Sequence, residues 1–253
     1  MKYGYNLFSA WQVVKDRESL IDYMKKIKEM GYDGVEFFLY FDISGEEMKK
    51  IVEEIGLIPF STHPRLVRFF ENLDEEIAYA KAAGIETLVM PHIPDDECNV
   101  EYYAKVLAAI PQWKKKCDEA GIKLAWHNHG FEFKPYGDGI LLDALLAADP
   151  GVNYEIDVFW TTDSGVDTLA LMDKYKDRIE YVHFKDYKGR NGDAYTDIGF
   201  CAVGEGIVNV KAVAEKAKEL NAQWAVVEQD LHSQDVLEDA RISIENLKAA
   251  FEG

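Results

Sequence analysis

The chain has 253 residues, 48% of them hydrophobic, and a formal net charge of −18; one (β/α)8 barrel takes roughly 250 residues. That charge repels polyphosphates and anionic bilayers, which excludes nucleic acid and membrane surfaces as favoured partners. No apolar run approaches the ~20 residues of a membrane span, and Met1-Lys2-Tyr3-Gly4-Tyr5-Asn6 lacks the apolar stretch of a secretory leader. Cys98, Cys117 and Cys201 are scattered, so neither a disulfide framework nor a zinc ribbon is expected, and a reducing, cytoplasmic setting is.

In chain order, short β-like runs alternate with amphipathic stretches. A strand is expected near Lys2–Phe8, then a helix over Arg17–Met30 with Leu20, Ile21, Met24 and Ile27 on one stripe, ended by Gly31. Gly34–Phe38 reads as a strand. Ser44 with Glu47 forms a capping-box signal for a helix that ends at Gly56. Leu57–Thr62, Thr87–Ile93, Lys123–His129, Asn153–Phe159, Ile179–Lys185 and Trp224–Glu228 are the later strands. The helices between them are expected over Leu73–Ala83, Glu101–Ala120 with Pro111 inside, Leu141–Ala148, Val166–Tyr175, Val210–Leu220 and Val236–Phe251. Tyr187–Gly206 is an insertion. Eight strand–helix units without a linker predict a single (β/α)8 barrel domain over residues 1–253. No Gly-x-Gly-x-x-Gly follows the first strand, and Val203-Gly204-Glu205-Gly206 lacks a P-loop lysine.

The strand ends carry the chemistry. Buried parallel strands are usually plain aliphatic runs. Here they end in Glu36, His63, His92, His127-Asn128-His129, Asp157, His183 with Lys185, and Glu228, and five of the chain's six histidines lie there. A parallel barrel gathers all these ends at one mouth. Asp157, His183 and Glu228 form a mixed nitrogen and oxygen set with His127 as first candidate for a fourth ligand. That set suits one divalent ion, Mn, Fe, Co or Zn before Mg. His129 and Glu132, in His-x-x-Glu spacing, read as ligands, an acid–base pair or a loop cap. Lys185 reads as an electrophilic donor or as a salt bridge to Asp186 or Glu205. Trp126, Phe131, Phe133 and Trp160 read as sugar-stacking rings or rim packing, and His232 as an ordinary histidine.

Gly34-Val35-Glu36, His127-Asn128-His129-x-x-Glu132-Phe133, the Asp157 strand, Val182-His183-Phe184-Lys185-Asp186, Gly204-Glu205-Gly206 and Glu228 together resemble the xylose isomerase-like barrels, and within them the sugar phosphate isomerase/epimerase group. The likeness spans essentially the whole chain. It implies metal ligands of the order Glu, Asp, His, Glu on strands five to eight. Asp157, His183 and Glu228 match the last three, while His127 stands where a glutamate is usual, leaving His127 or Glu132 as the fourth. The His-Asn-His variant is similar to inosose dehydratase-like and 3-keto-sugar-acting branches. His63 and His92 match positions that bind extra zinc in the nuclease branch, but the charge opposes DNA. They are assigned to substrate hydroxyls, as are Asn128, Trp160 and Glu36.

The expectation is therefore a metal-dependent isomerase or epimerase acting on a sugar, keto sugar or polyol through an enediolate. Glu228 is its base, Glu132 or His129 the opposing acid, and Lys185 steadies an oxyanion. A lyase or dehydratase on the same site is the runner-up, and a non-catalytic sugar-binding barrel a minor alternative. A homo-oligomer is compatible with the sequence.

Overall fold

The computed structural model describes residues 1–232 and 234–253. Strands β1 (Lys2–Asn6), β2 (Gly34–Phe37), β3 (Ile58–Thr62), β4 (Thr87–Met90), β5 (Lys123–His127), β6 (Asn153–Asp157), β7 (Ile179–Phe184) and β8 (Trp224–Val227) pair in parallel, each with its sequence neighbours. β1 closes on β8 through Lys2 to Trp224 and Tyr5 to Val227. The result is a (β/α)8 barrel.

Helices wrap the barrel where the capping signals put them. Helix α1 (Arg17–Glu29) starts on Asp16, whose side chain accepts from the Ser19 N–H while the Ser19 hydroxyl reciprocates. Ser44 caps α2 (Gly45–Ile55), and Gly56 ends it at φ 83°, a left-handed turn that favours glycine. Leu20, Met24 and Ile27 of α1 are buried against the barrel, as their spacing requires. Between the expected strand ending at Thr62 and the expected helix starting at Leu73, the chain forms a further short α3 (Leu66–Glu71) ahead of α4 (Leu73–Ala83). Helix α5 (Val100–Ala120) runs through Pro111 as one element, and α6 (Leu141–Ala147) follows a small hairpin.

Two elements after β6 and β7 matter for the site. β6 stops at Asp157, two residues short of the expected end, because the Asp157 carboxylate accepts the Phe159 and Trp160 N–H groups. It thereby starts α7 (Val158–Asp163), with α8 (Thr168–Lys174) beyond. The insertion after β7 is a hairpin, Asp186–Arg190 against Ile198–Cys201, leading to α9 (Val210–Glu219); α10 (Val236–Glu252) ends the chain. Among the described residues Cys98, Cys117 and Cys201 form no disulfide. Among the described residues no helix is long and apolar enough to cross a membrane.

The barrel's lower interior is closed by Phe60, Tyr181, Trp224 and Val226, with the Phe60 and Trp224 rings stacked 4.1 Å apart. Packing is tight there: a Cβ on Gly34 would lie 2.4 Å from the Ile58 carbonyl oxygen and 2.6 Å from the Trp224 ring. This apolar plug leaves the C-terminal mouth as the way in.

Asp186 locks the hairpin to the barrel. Its buried carboxylate accepts the N–H groups of Tyr187 at 2.8 Å and of Gly204, Gly206 and Val208 at 3.0 Å each. Asp186→Ala would strand those donors, so chemical denaturation should show a loss of roughly 3 kcal/mol or more. A loss below 1 kcal/mol would mean the loop does not depend on this carboxylate.

Candidate metal centre

Above the apolar plug the barrel interior turns polar. Glu36 at the end of β2 is wholly buried. It accepts from Asn6 Nδ2 at 3.3 Å and Ser61 Oγ at 2.9 Å, and pairs with His63 Nε2 at 2.7 Å and His183 Nε2 at 2.8 Å. Glu155 of β6 is its counterpart, 2.7 Å from His63 Nε2 and 3.1 Å from His127 Nδ1. Burial opposes a proton on His63, but Glu36 and Glu155 outweigh it and lift its pKa to about 10. Glu36 and His63 were expected to meet substrate hydroxyls; the structure places them in the floor, with their polar atoms engaged by one another.

The floor orients the imidazoles above it. Glu155 holds His127 by Nδ1, so Nε2 faces Asp157 Oδ2 at 3.7 Å and Glu228 Oε2 at 4.0 Å. Glu36 holds His183 by Nε2, so Nδ1 faces Glu228 Oε2 at 3.0 Å. A carboxylate behind a ligating histidine is the usual arrangement for fixing its tautomer and basicity. Asp157 adds the telling atom. Its Oδ1 accepts from α7, while its buried Oδ2 lies 3.7 Å from His127 Nε2 and 3.1 Å from the Lys185 ammonium. Donor atoms of His127, Asp157, His183 and Glu228 all lie within 4.8 Å of one another. Two nitrogens and two oxygens at this spacing fit a divalent transition ion. A second donor group, His63, His127, Glu155 and His183, overlaps the first and includes the floor carboxylate Glu155.

Burial opposes charge on His183, yet Glu155 and Glu36 raise its pKa well above the ordinary value. Metal binding at Nδ1 displaces that proton, so affinity should weaken as pH falls. Removing the outer carboxylate tests the arrangement: Glu36→Gln should lower divalent-ion affinity roughly 10–100-fold by competition titration. Unchanged affinity would show that Glu36 does not tune His183.

Lys185 does not form the salt bridge to Asp186 or Glu205 that is the alternative to an electrophilic role. Its buried ammonium lies 3.1 Å from Asp157 Oδ2, 3.0 Å from Glu228 Oε2 and 3.0 Å from both Asp230 oxygens. Burial disfavours the Lys185 charge, but Asp157, Asp230 and Glu228 keep it firmly protonated. Burial likewise works against charge on Glu228, but Lys185 and His183 hold it well below the usual carboxylate range. Tyr195 from the hairpin donates its hydroxyl to Asp230 Oδ2.

On the other side, Trp126 Nε1 donates to Glu132 Oε1 at 3.0 Å, and the His129 N–H donates to Oε2 at 2.8 Å. Burial pushes the Glu132 carboxyl up to about 8. Burial, with His127, His92 and Lys185 nearby, holds His129 well below its ordinary value. The His129 ring packs 4.7 Å from His92, 5.1 Å from His127 and 5.2 Å from Trp160. Asn128 accepts from Tyr154 OH at 2.6 Å and the Asp157 N–H at 3.0 Å, which anchors β6 and leaves its amide engaged inside the wall. His232 bonds Asp239 and the Ser9 carbonyl, away from the site.

Glu155, Asn6, Ser61, Asp230 and Tyr195 were not singled out from sequence. Strand alternation offers a signal for two of them: Glu155 stands two residues before Asp157, and Asp230 two after Glu228. Tyr195 gives none, because its position depends on the hairpin.

A barrel with this donor set at its mouth is matched by one family model, over residues 24–250. The chain belongs to the xylose isomerase-like TIM barrel family. Inosose dehydratase of Lacticaseibacillus casei is 26% identical over 156 residues, covering 54% of this chain and 49% of that protein. The chain thus spans about half the length of the curated relatives it matches. Among solved structures, a sugar phosphate isomerase/epimerase from Parabacteroides distasonis superposes with TM-score 0.75 at 24% identity, covering 98% of this chain and 94% of that one. The IOLI protein with a bound zinc atom superposes with TM-score 0.78 at 13% identity, covering 100% and 98%. The proteins of these matches thus carry the names of a dehydratase and of an isomerase/epimerase.

Proposed function

We propose that this chain is a divalent-metal-dependent isomerase or epimerase acting on a sugar or keto sugar by proton transfer at the carbon next to the carbonyl. The observation that carries the reading is the pair of imidazoles, each tied to a buried carboxylate by one nitrogen and presenting the other to Asp157 and Glu228. His127, Asp157, His183 and Glu228 would hold the ion, with Mn as first choice and Zn, Co, Fe or Mg as the others. Bound there, the ion supplies Lewis-acid polarisation of a carbonyl, which acidifies the neighbouring C–H.

The protein's own groups divide the proton work. Glu228 is ionised and Glu132 is protonated up to about pH 8. Two carboxyl groups pushed apart in this way take opposite roles, base and acid. Lys185 steadies negative charge on the substrate oxygen, and its ammonium is already aimed between Asp157 and Glu228. Return of the proton to the opposite face gives an epimer, and to the adjacent carbon an isomer.

Dehydration is the second reading. Lys185, which shares Asp230 Oδ2 with the Tyr195 hydroxyl, places an ammonium donor at the site, as protonating a departing oxygen requires. Incubating the Mn-loaded protein in D2O with a panel of keto sugars tests both. Deuterium at the carbon next to the carbonyl is expected, and an unsaturated product would select the lyase. Sugars that bind without exchanging would refute the proton-transfer reading.

A further inference from the structure

Barrels commonly hold a substrate phosphate on backbone N–H groups of the loops after their seventh and eighth strands. In this chain the glycine-rich turn in that region is spoken for. The Gly204 and Gly206 N–H groups both donate to Asp186 Oδ2 at 3.0 Å, and the Val208 N–H donates to Oδ1 at 3.0 Å. An internal carboxylate already plays the anion there. Gly206 is pressed so closely on it that a Cβ would lie 2.1 Å from Asp186 Oδ1.

The charges beside the donor set are also balanced. Asp157 and Glu228 offset a divalent ion, and Asp230, 3.0 Å from Lys185 through either oxygen, offsets the ammonium. Arg190 of the hairpin is taken by Asp163, 2.7 Å from Nε. These pairs leave neither Lys185 nor Arg190 a free charge for a phosphate dianion.

What the wall does offer is uncharged. Trp160 Nε1 and His129 Nδ1 are buried and have no hydrogen-bond partner among the described residues. Their rings lie 5.2 Å apart, beside His127 and Lys185: the His129 and His127 centroids are 5.1 Å apart, and Lys185 Nζ is 5.7 Å from the Trp160 centroid. The indole N–H needs an acceptor, and the imidazole nitrogen can donate or accept. Sugar hydroxyls satisfy both.

Resting on the metal-assisted reading above, we propose that the site takes an uncharged, unphosphorylated keto sugar or polyol ketone, with Trp160 Nε1 and His129 Nδ1 addressing its hydroxyls. Calorimetric titration of the Mn-loaded chain with free ketohexoses and a ketoinositol, each against its monophosphate, tests this. At least one neutral compound should bind, and at least about 10-fold more tightly than its phosphate. Trp160→Phe, which keeps a ring and removes the N–H, should weaken that binding roughly 10-fold with Mn affinity unchanged. Tighter binding of a phosphate, binding of no neutral compound, or indifference to Trp160→Phe would overturn the proposal. The substrate class and the reaction fail separately. Neutral sugars that bind but exchange no deuterium count against the reaction alone, and phosphates that bind tightly and exchange count against the substrate class alone.

Discussion

Asp157→Asn should cost the protein its divalent ion while leaving its fold in place. The two oxygens of Asp157 have separate duties. Oδ1 accepts the Phe159 and Trp160 N–H groups at 2.9 and 3.2 Å and starts α7; Oδ2 faces His127 and pairs with the Lys185 ammonium at 3.1 Å. Asparagine retains a carbonyl oxygen for the cap, and Asn and Asp cap helices about equally well. Its NH2 then replaces Oδ2, removing a negative charge and a lone pair from the donor set. The loss in affinity should exceed the roughly 100-fold upper range for outer carboxylates, while the metal-free protein keeps the cap and loses only one partner of the Lys185 ammonium, which stays paired with Glu228 and Asp230, a cost of roughly 1–3 kcal/mol. Equilibrium dialysis and thermal unfolding on the same sample separate the two effects. Retained affinity would remove Asp157 from the donor set.

The second large effect is expected at Glu132. Glu132→Gln should lower kcat by roughly 10²–10⁴-fold, the usual worth of a placed proton carrier, without changing metal content. Glutamine keeps a carbonyl oxygen for one of the two donors, Trp126 Nε1 or the His129 N–H, and sets its NH2 against the other, so a stability loss of roughly 1–3 kcal/mol is expected alongside the kinetic effect. The pH dependence carries a sign. A carboxyl acting as acid must be protonated, so kcat should fall as pH rises through about 8, and that limb should vanish in the variant. Stability follows the same group. Its folded pKa of about 8 lies above the ordinary 4.5, so its contribution is fully present below about 4.5 and is lost as pH rises through about 8. The metal-free protein should therefore gain stability relative to Glu132→Gln as pH falls across that window. A pH-rate profile identical in the two proteins would assign the proton to another group.

Much of the fold was legible because local signals agreed. Ser44, Gly56 and the Leu20–Met24–Ile27 stripe each specify an element end or a buried face from a few residues. The misplaced end of β6 has a definite cause. Val158 and Phe159 continue an apolar run, but the Asp157 side chain offers a helix start that hydropathy does not register. Helix α3 is six residues long and has no side-chain cap, so it leaves little pattern to read.

The candidate donor set of His127, Asp157, His183 and Glu228 was legible, since parallel strand ends must converge. Depth was not. Glu36 stands at a strand end like the others, yet Asn6 and Ser61 draw its carboxylate into the floor. The partners of Lys185 come from the ends of two other strands, Asp157 from β6 and Glu228 and Asp230 from β8, so proximity in sequence to Asp186 was no guide.

The choice between His127 and Glu132 as fourth ligand decides the account. In the structure Glu132 is committed to Trp126 and the His129 N–H, whereas His127 Nε2 faces Asp157 and Glu228. Anomalous diffraction from crystals loaded with Mn or Zn tests it directly. The account predicts one strong peak roughly 2.0–2.2 Å from His127 Nε2, Asp157 Oδ2, His183 Nδ1 and a Glu228 oxygen. A peak coordinated by Glu132 with His127 turned away, or no peak among these four side chains, would contradict it.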